Sequence, residues 1–352
     1  QKEKLAEVFL AAMIDIREGR FYPNIIMHQD EPIEYAAIPL TSYASDTILP
    51  YDSISEVLEN YYAQRSLYTR MRQKSVDLRK IVSTHLERSS KKLDLQLKQL
   101  KDTEKRDKFK VYGELLNTYG YQVTEGAKSV EVPNYYTGEM LTIPLDETLS
   151  PLDNAKKYFA RYNKLKRTFE ALNTQTEETK TEIAHLQTIQ AALAIAESED
   201  DLAPVREELV EYGYIRRKMN GKKKQKFKSK PFHYRSSDGF DIYVGKNNFQ
   251  NDELTFKVAN GNDWWFHAKG MPGSHVIVKT EGRELPDRTF EEAGRLAGYY
   301  SSGRDNEKIE IDYLQRKNVK KPNGAVAGYV IYYTNYSLTI HPDISGIEKI
   351  SE

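Results

Sequence analysis

From Pro151 to about Leu193 the chain carries an apolar seam that no isolated helix could bury. Its members are Tyr158, Tyr162, Leu165, Phe169, Leu172, Thr176, Thr179, Ile183, Leu186 and, after a polar Gln190, Leu193. The steps alternate four and three, which is heptad spacing, and charged residues lie outside it. Such a stripe needs a partner, and the nearest is upstream. Residues 53–119 are helical in pattern, nearly free of Gly and Pro, and rich in Lys, Arg, Glu, Leu and Gln. Ser53 with Glu56 makes a capping-box pattern at the start. The upstream seam (Val57, Tyr61, Leu78, Val82, Leu86, Leu93, Leu97, Leu100) drifts and admits a bend. Between the two helices, VEVPNYYTGEMLTIPL alternates around a Thr-Gly turn and reads as a small β element. The pattern predicts a long antiparallel two-helix coiled-coil arm over 53–215 with a β tip at about 119–150. At 1.5 Å per residue, about 40–60 residues per helix give an arm of roughly 60–90 Å. So thin a lever has little core per residue. Its use is reach, so its tip should touch something large.

The flanks differ in character. Residues 1–52 predict a helix near Lys2–Ile16 and strand-like runs at Pro23–His28 and Ile33–Pro39. The chain opens at Gln1 inside that helical pattern, so 1–52 reads as the trailing end of a longer upstream region. A short helix, Leu202–Tyr212, ends the arm at Gly213. The stretch RRKMNGKKKQKFKSK, 216–230, then holds nine basic residues in fifteen and no acid. Residues 231–352 predict one compact α+β domain. Its strands fall at Phe232–Ser236, Phe240–Val244, Asp263–Ala268, Ser274–Lys279, Ile309–Tyr313, Tyr329–Tyr333 and Ser337–Ile340. Its helices fall at Asn251–Val258 and Thr289–Ser301. The fold class is therefore α+β.

Composition narrows the chemistry. There is no cysteine, which removes disulfides and thiolate metal sites. No apolar run approaches the ~18 residues of a membrane span, so no membrane insertion is expected. Lys plus Arg and Asp plus Glu both number 52, giving zero net charge. Neutrality does not exclude a polyanion partner, because local clustering sets the field. The candidates within that run are Arg216, Arg217, Lys218, Lys222, Lys223, Lys224, Lys226 and Lys228. One reading is a solvated charged linker. The other is a phosphate-tracking segment: five or six phosphate contacts would make log K fall with log salt at a slope of about −4 to −5.

The stretch DWWFHAKGMPGSHVIVK, 263–279, holds both tryptophans and two of the seven histidines. On a strand, Trp264, Phe266 and Ala268 share one face, and Trp265 and His267 share the other. Both faces are apolar, which points to burial. Trp264 and Phe266 are assigned to the core, and Trp265 is left open. The turn from Lys269 to Gly273 brings Ser274 and His275 back beside His267, and its glycines permit a backbone amide nest for a phosphate. A metal centre needs three ligands, and only His267 and His275 offer themselves, with Asp263 a distant third. No metal and no cofactor are expected. A hydrolase on Ser274 and His275 lacks the strand-turn-helix context of a nucleophile elbow. Two uses remain: buried core histidines, or hydrogen-bonding groups for RNA. VGKNNFQND places Lys246, Asn247, Asn248 and Asn251 at a turn and helix start, which suits capping, phosphate contact or both. In NVKKPNGA, Lys320 and Lys321 crown a turn.

Taken together, these stretches resemble the NFACT family of ribosome-associated quality-control proteins, whose bacterial members are often called fibronectin-binding protein A-like or Pav-type. LSPLDNAKKYFARYNKLKR resembles the family's entry into its second coiled-coil helix, and DLAPVREELVEYGYI its exit. HYRSSDGFDIYVGKNNFQND, DWWFHAKGMPGSHVIVK and NVKKPNGA resemble its NFACT-R domain. Val326-Ala327 stands where the family pattern has Lys-Pro. The resemblance implies a non-enzymatic protein that binds the large ribosomal subunit, rRNA and tRNA in the cytoplasm and supports alanine tailing of stalled nascent chains. It implies RNA contacts among Lys246, Asn247, Asn248, Asn251, His267, Gly273, Ser274 and His275, to which the cationic positions Lys269, Lys320 and Lys321 add. It also implies that the tailing function needs the N-terminal NFACT-N domain with its Asp-Arg motif, a domain expected to be absent here, so this stretch should bind but not support tailing. The competing expectation is an anchorless surface adhesin that binds fibronectin.

Overall fold

The computed structural model describes residues 2–28, 31–43, 45–216 and 228–350. Its helices are α1 (Lys2–Arg17), α2 (Ile54–Thr103), α3 (Arg106–Tyr119), α4 (Pro151–Ile195), α5 (Glu199–Glu211), α6 (Asn248–Glu253) and α7 (Asp287–Tyr299). Its strands are β1 (Asn24–His28), β2 (Glu31–Ala36), β3 (Thr47–Pro50), β4 (Ser129–Pro133), β5 (Met140–Pro144), β6 (Phe232–Arg235), β7 (Asp241–Val244), β8 (Trp264–Ala268), β9 (Val276–Val278), β10 (Ile309–Gln315), β11 (Tyr336–Ile340) and β12 (Glu348–Lys349). The fold is α+β. The chain divides into two units, residues 1–80 with 193–230 and residues 81–192 with 231–352. No helix among the described residues is long and apolar enough to cross a membrane.

In the first unit a three-stranded sheet, ordered β2-β1-β3, buries Ile25 against Val57 and Tyr61 of α2. Ser53 Oγ accepts the Glu56 amide at 3.2 Å and so starts α2. Further along, Arg79 donates to the Leu193 carbonyl and Lys74 pairs with Glu199. Helix α5 begins before the expected Leu202. Ser198 caps it, accepting from Asp201 N at 3.2 Å while the Asp201 carboxylate accepts from Ser198 N at 3.1 Å.

In the second unit α3 and α4 lie antiparallel. The Arg106 guanidinium sits 3.9 Å from the Phe169 ring centre, and Arg161 sits 4.3 Å from that of Phe109. The expected bend falls at Glu104–Lys105, between α2 and α3. There Thr103 Oγ1 bonds back to the Leu100 carbonyl at 2.5 Å, a pairing that bends helices. Strands β4 and β5 form the tip hairpin. Val132 and Ile143 pack there on Leu115, Leu116 and Ala155. Asn154 clamps the entry to α4: its amide donates to the carbonyls of Asp146, Leu149 and Ser150.

Residues 231–352 form a seven-stranded antiparallel sheet, ordered β11-β10-β8-β9-β7-β6-β12. Helix α7 covers one face, where Phe290 meets Trp264, Phe266 and Tyr313. On the other face Trp265, Ile277 and Leu314 pack with Leu254 and Val319. Three expectations need correction. Tyr329–Tyr333 forms no strand; only Ile331 pairs, through an isolated bridge to Lys320. The helix expected at Asn251–Val258 starts at Asn248, and its second half is a π-helical turn, Leu254–Val258. Trp265, left open above, is fully buried, while Trp264 is only half-buried.

Candidate nucleic-acid interface

The β8–β9 hairpin pairs Trp265 with Ile277 and Phe266 with Val276. Side-chain alternation turns Trp265 and His267 to the face away from α7. The loop then returns His275 beside them. Its ring centre lies 5.6 Å from that of His267 and 5.1 Å from that of Trp265, edge-on to both. Trp265 stacks on His267 at 5.5 Å. Tyr332 closes against Trp265 at 5.3 Å and donates to Asp312 at 2.8 Å. Asp312 also accepts from Asn335 and Ser337, at 2.8 and 2.7 Å, directly opposite His267 in the β10 register.

Burial governs the protonation of this cluster. It pushes the His267 imidazole down to about 4, against the opposing pull of the Gly273 backbone and the Asp312 charge. Burial, and secondarily the neighbouring His267, hold His275 well below the ordinary histidine value. Both rings are neutral near pH 7, able to accept and donate but not to act as cations. Asp263 lies at the far end of the hairpin and is already engaged. Burial alone would raise its pKa, but Lys279 at 2.5 Å and the amides of Thr280 and Asn260 hold it low.

The VGKNN turn is built into the same cluster. Asn247 caps α6, its Oδ1 accepting Gln250 N at 3.1 Å. Gln250 in turn accepts the Lys246 amide at 2.9 Å. Asn251 is 3% exposed and extends the sheet ladder, its Oδ1 accepting His275 N at 3.0 Å. Gly245 is required there, because a Cβ would lie 2.1 Å from that oxygen. Asn248 reaches away from the sheet and donates to Thr188 Oγ1 of α4 at 2.8 Å. Gly328, at φ +77°, passes so close to Asn248 that a Cβ would meet its Oδ1 at 2.6 Å.

The remaining candidate residues are placed as follows. Ser274 is buried, with its amide donating to Tyr300 O at 2.9 Å. The Gly273 backbone bridges to Ser301, which pins the loop to the end of α7. Lys246 lies 4.4 Å from the Phe232 ring centre. Lys269 pairs with Glu310 at 2.5 Å, and Lys321 pairs with Asp252. Lys320, Arg216 and Lys228 are exposed. Arg217, Lys218, Lys222, Lys223, Lys224 and Lys226 lie outside the described residues. The structure thus gathers the histidines, Asn248 and Asn251 at one place and leaves Lys269 and Lys320 as surface cations.

Sequence reasoning missed one wall of this site. The histidine face opens on a pocket of about 480 Å³, and Lys180, Thr181, Ala184 and Thr188 of α4 form its other side. The available signal was the run of small or polar residues at 180, 181, 184 and 188, a second face of α4 offset from the heptad seam.

Residues 1–228 match a family model described as NFACT N-terminal and middle domains, and residues 230–332 match the NFACT protein RNA binding domain. A protein named Rqc2 homolog RqcH from Streptococcus suis is 39% identical over 317 residues, covering 90% of this chain and 56% of the relative. A Bacillus subtilis protein of the same name is 34% identical over 355 residues, covering 100% of this chain and 61% of the relative. This chain therefore spans less than two thirds of these relatives. A solved structure of the C-terminal of the fibronectin/fibrinogen-binding protein from Streptococcus suis superposes with a TM-score of 0.63 at 34% identity. The match covers 80% of this chain and 100% of that one.

Proposed function

The chain belongs to the NFACT family, and from that premise we propose that it is a non-enzymatic RNA-binding part of a ribosome-associated quality-control factor. The finer reading is that the whole factor engages the large ribosomal subunit and tRNA in the cytoplasm and supports alanine tailing of stalled nascent chains, this part supplying the binding. The observation that carries the proposal is the RNA binding domain at 230–332, preceded in the chain by a strongly cationic run. The long helices α2 and α4 supply reach. The neutral histidines supply hydrogen bonds to bases, and the lysines supply phosphate contacts. Fluorescence anisotropy with labelled tRNA tests this across a salt series. Affinity should fall steeply with salt, and a salt-independent affinity would refute phosphate tracking.

A second reading rests on the fibronectin/fibrinogen-binding protein whose structure this chain resembles. On that reading the chain adheres to matrix as an anchorless surface protein. Surface plasmon resonance on immobilised fibronectin separates the two. Binding that survives physiological ionic strength supports adhesion, and binding that vanishes there reduces it to charge attraction.

A further inference from the structure

We propose that the pocket between the histidine hairpin and α4 is a receptor for one unstacked nucleobase of single-stranded RNA. The proposal rests on the reading that this domain binds RNA and names the part of the RNA it holds. The first observation is size. The pocket is about 480 Å³, within the roughly 300–1,000 Å³ range of small-ligand sites. The second is charge. Lys180, which pairs with Glu177 at 2.8 Å, is the one cation among its described lining residues, and none of them is a carboxylate. In a chain with 52 acids, a wall free of them suits a ligand that brings a phosphate to the rim.

The third observation is chemistry. Trp265 and Tyr332 line the pocket beside His267 and His275. Planar rings favour a planar guest. The two imidazoles are kept neutral by burial and so line the pocket without demanding an anion, His275 Nδ1 being already paired with Thr255 Oγ1 at 2.8 Å. The indole Nε1 of the fully buried Trp265 has no hydrogen-bond partner, although a buried indole N–H normally finds one. An acceptor supplied by a guest would satisfy it. The Asn248–Thr188 bond at 2.8 Å ties α6 to the α4 wall. The helical arm therefore contributes to the receptor itself.

Intrinsic fluorescence tests this with the 352-residue chain as it stands. Both tryptophans lie in this hairpin, so a base entering the pocket alters their emission. The probes are a ten-nucleotide oligoadenylate and an abasic oligonucleotide of equal length and charge. The oligoadenylate should quench emission and bind about ten-fold more tightly than the abasic strand, as expected for one stacked base. Ala184→Phe, which places a ring in the pocket from the exposed side of α4, should abolish that difference. Equal affinity for both strands with no quenching overturns the base receptor but leaves RNA binding intact. Failure of both strands to bind at low salt overturns RNA binding and the receptor with it. If Ala184→Phe does not fold, the comparison of the two strands on the unsubstituted chain decides alone.

Discussion

Replacing Gly245 by alanine places a methyl group 2.1 Å from Asn251 Oδ1 and 3.1 Å from Asn251 N. The carboxamide must move, and Asn251 is 3% exposed with little room to do so. Two costs follow. Crowding a packed interior costs about 1–3 kcal/mol. Displacing Oδ1 leaves the buried His275 N–H without its acceptor, which costs about 1–3 kcal/mol more. Gly245→Ala alone should therefore destabilise the domain by roughly 4 kcal/mol. Asn251→Ala alone should cost roughly 2–3 kcal/mol, because it removes the same acceptor without the clash. The double substitution should cost little more than Asn251→Ala, since the new methyl group enters the space the carboxamide left. The coupling is then about 4 kcal/mol, the whole cost of Gly245→Ala and just above the usual range of about 0.5–3 kcal/mol for touching residues. Thermal unfolding followed by tryptophan emission reads it, because both tryptophans sit in β8 of this domain. At about 3–5 °C per kcal/mol, the double variant should melt roughly 15 °C above the additive expectation. Melting shifts that simply add would refute the claim that Gly245 exists to admit Asn251.

Two further predictions concern the same cluster. The neutral histidines should make the domain acid-labile. Their folded pKa values lie below the unfolded value near 6.5, so their contribution is complete above that pH and is lost as pH falls below it, for His267 toward about 4. Each should contribute a slope of about 1.4 kcal/mol per pH unit in that window, and His275→Gln should flatten the melting-temperature profile between pH 6.5 and 4.5. An unchanged profile would mean that His275 is protonated in the fold. Thr188→Val removes the hydroxyl that accepts from Asn248 and should cost about 1 kcal/mol. Hydrogen exchange at the start of α6 should quicken in that variant, and unaltered exchange would show that the bond does not restrain α6.

How much of this was legible beforehand varies by element. The α4 seam was readable because heptad spacing persists: Leu172, Thr176, Thr179 and Leu186 are all buried. The seam slips at its end, where Ile189 is fully buried and Gln190 is exposed, because a helix of 3.6 residues per turn drifts from a 3.5 repeat. The α2 seam was less readable. Ser89, Gln96 and Thr103 are buried while Leu97 is 42% exposed, so apolarity alone misplaced the inward face. Tyr329–Tyr333 alternates like a strand but lies between the turn at Gly328 and Asn335, and its Tyr332 is drawn to Asp312 instead of into a ladder. Strand β12 has two residues and no pattern to detect. In the site, the Asn247 cap and the approach of the two histidines could be read from local spacing. For the α4 wall only the small or polar face at 180, 181, 184 and 188 was visible; its pairing with the hairpin was not, because Thr188 and Asn248 lie sixty positions apart and only tertiary packing joins them.

The central claim is that charge before the domain and reach from the helices hold this chain on ribosomal RNA. Cosedimentation with purified large ribosomal subunits over a salt series tests it most directly, using the unsubstituted chain and Lys222→Ala, Lys223→Ala, Lys224→Ala combined. The account predicts saturable association that weakens with salt, with the triple substitution lowering the log–log slope by about 2. No association at low salt, or an association indifferent to both salt and the three lysines, would contradict it.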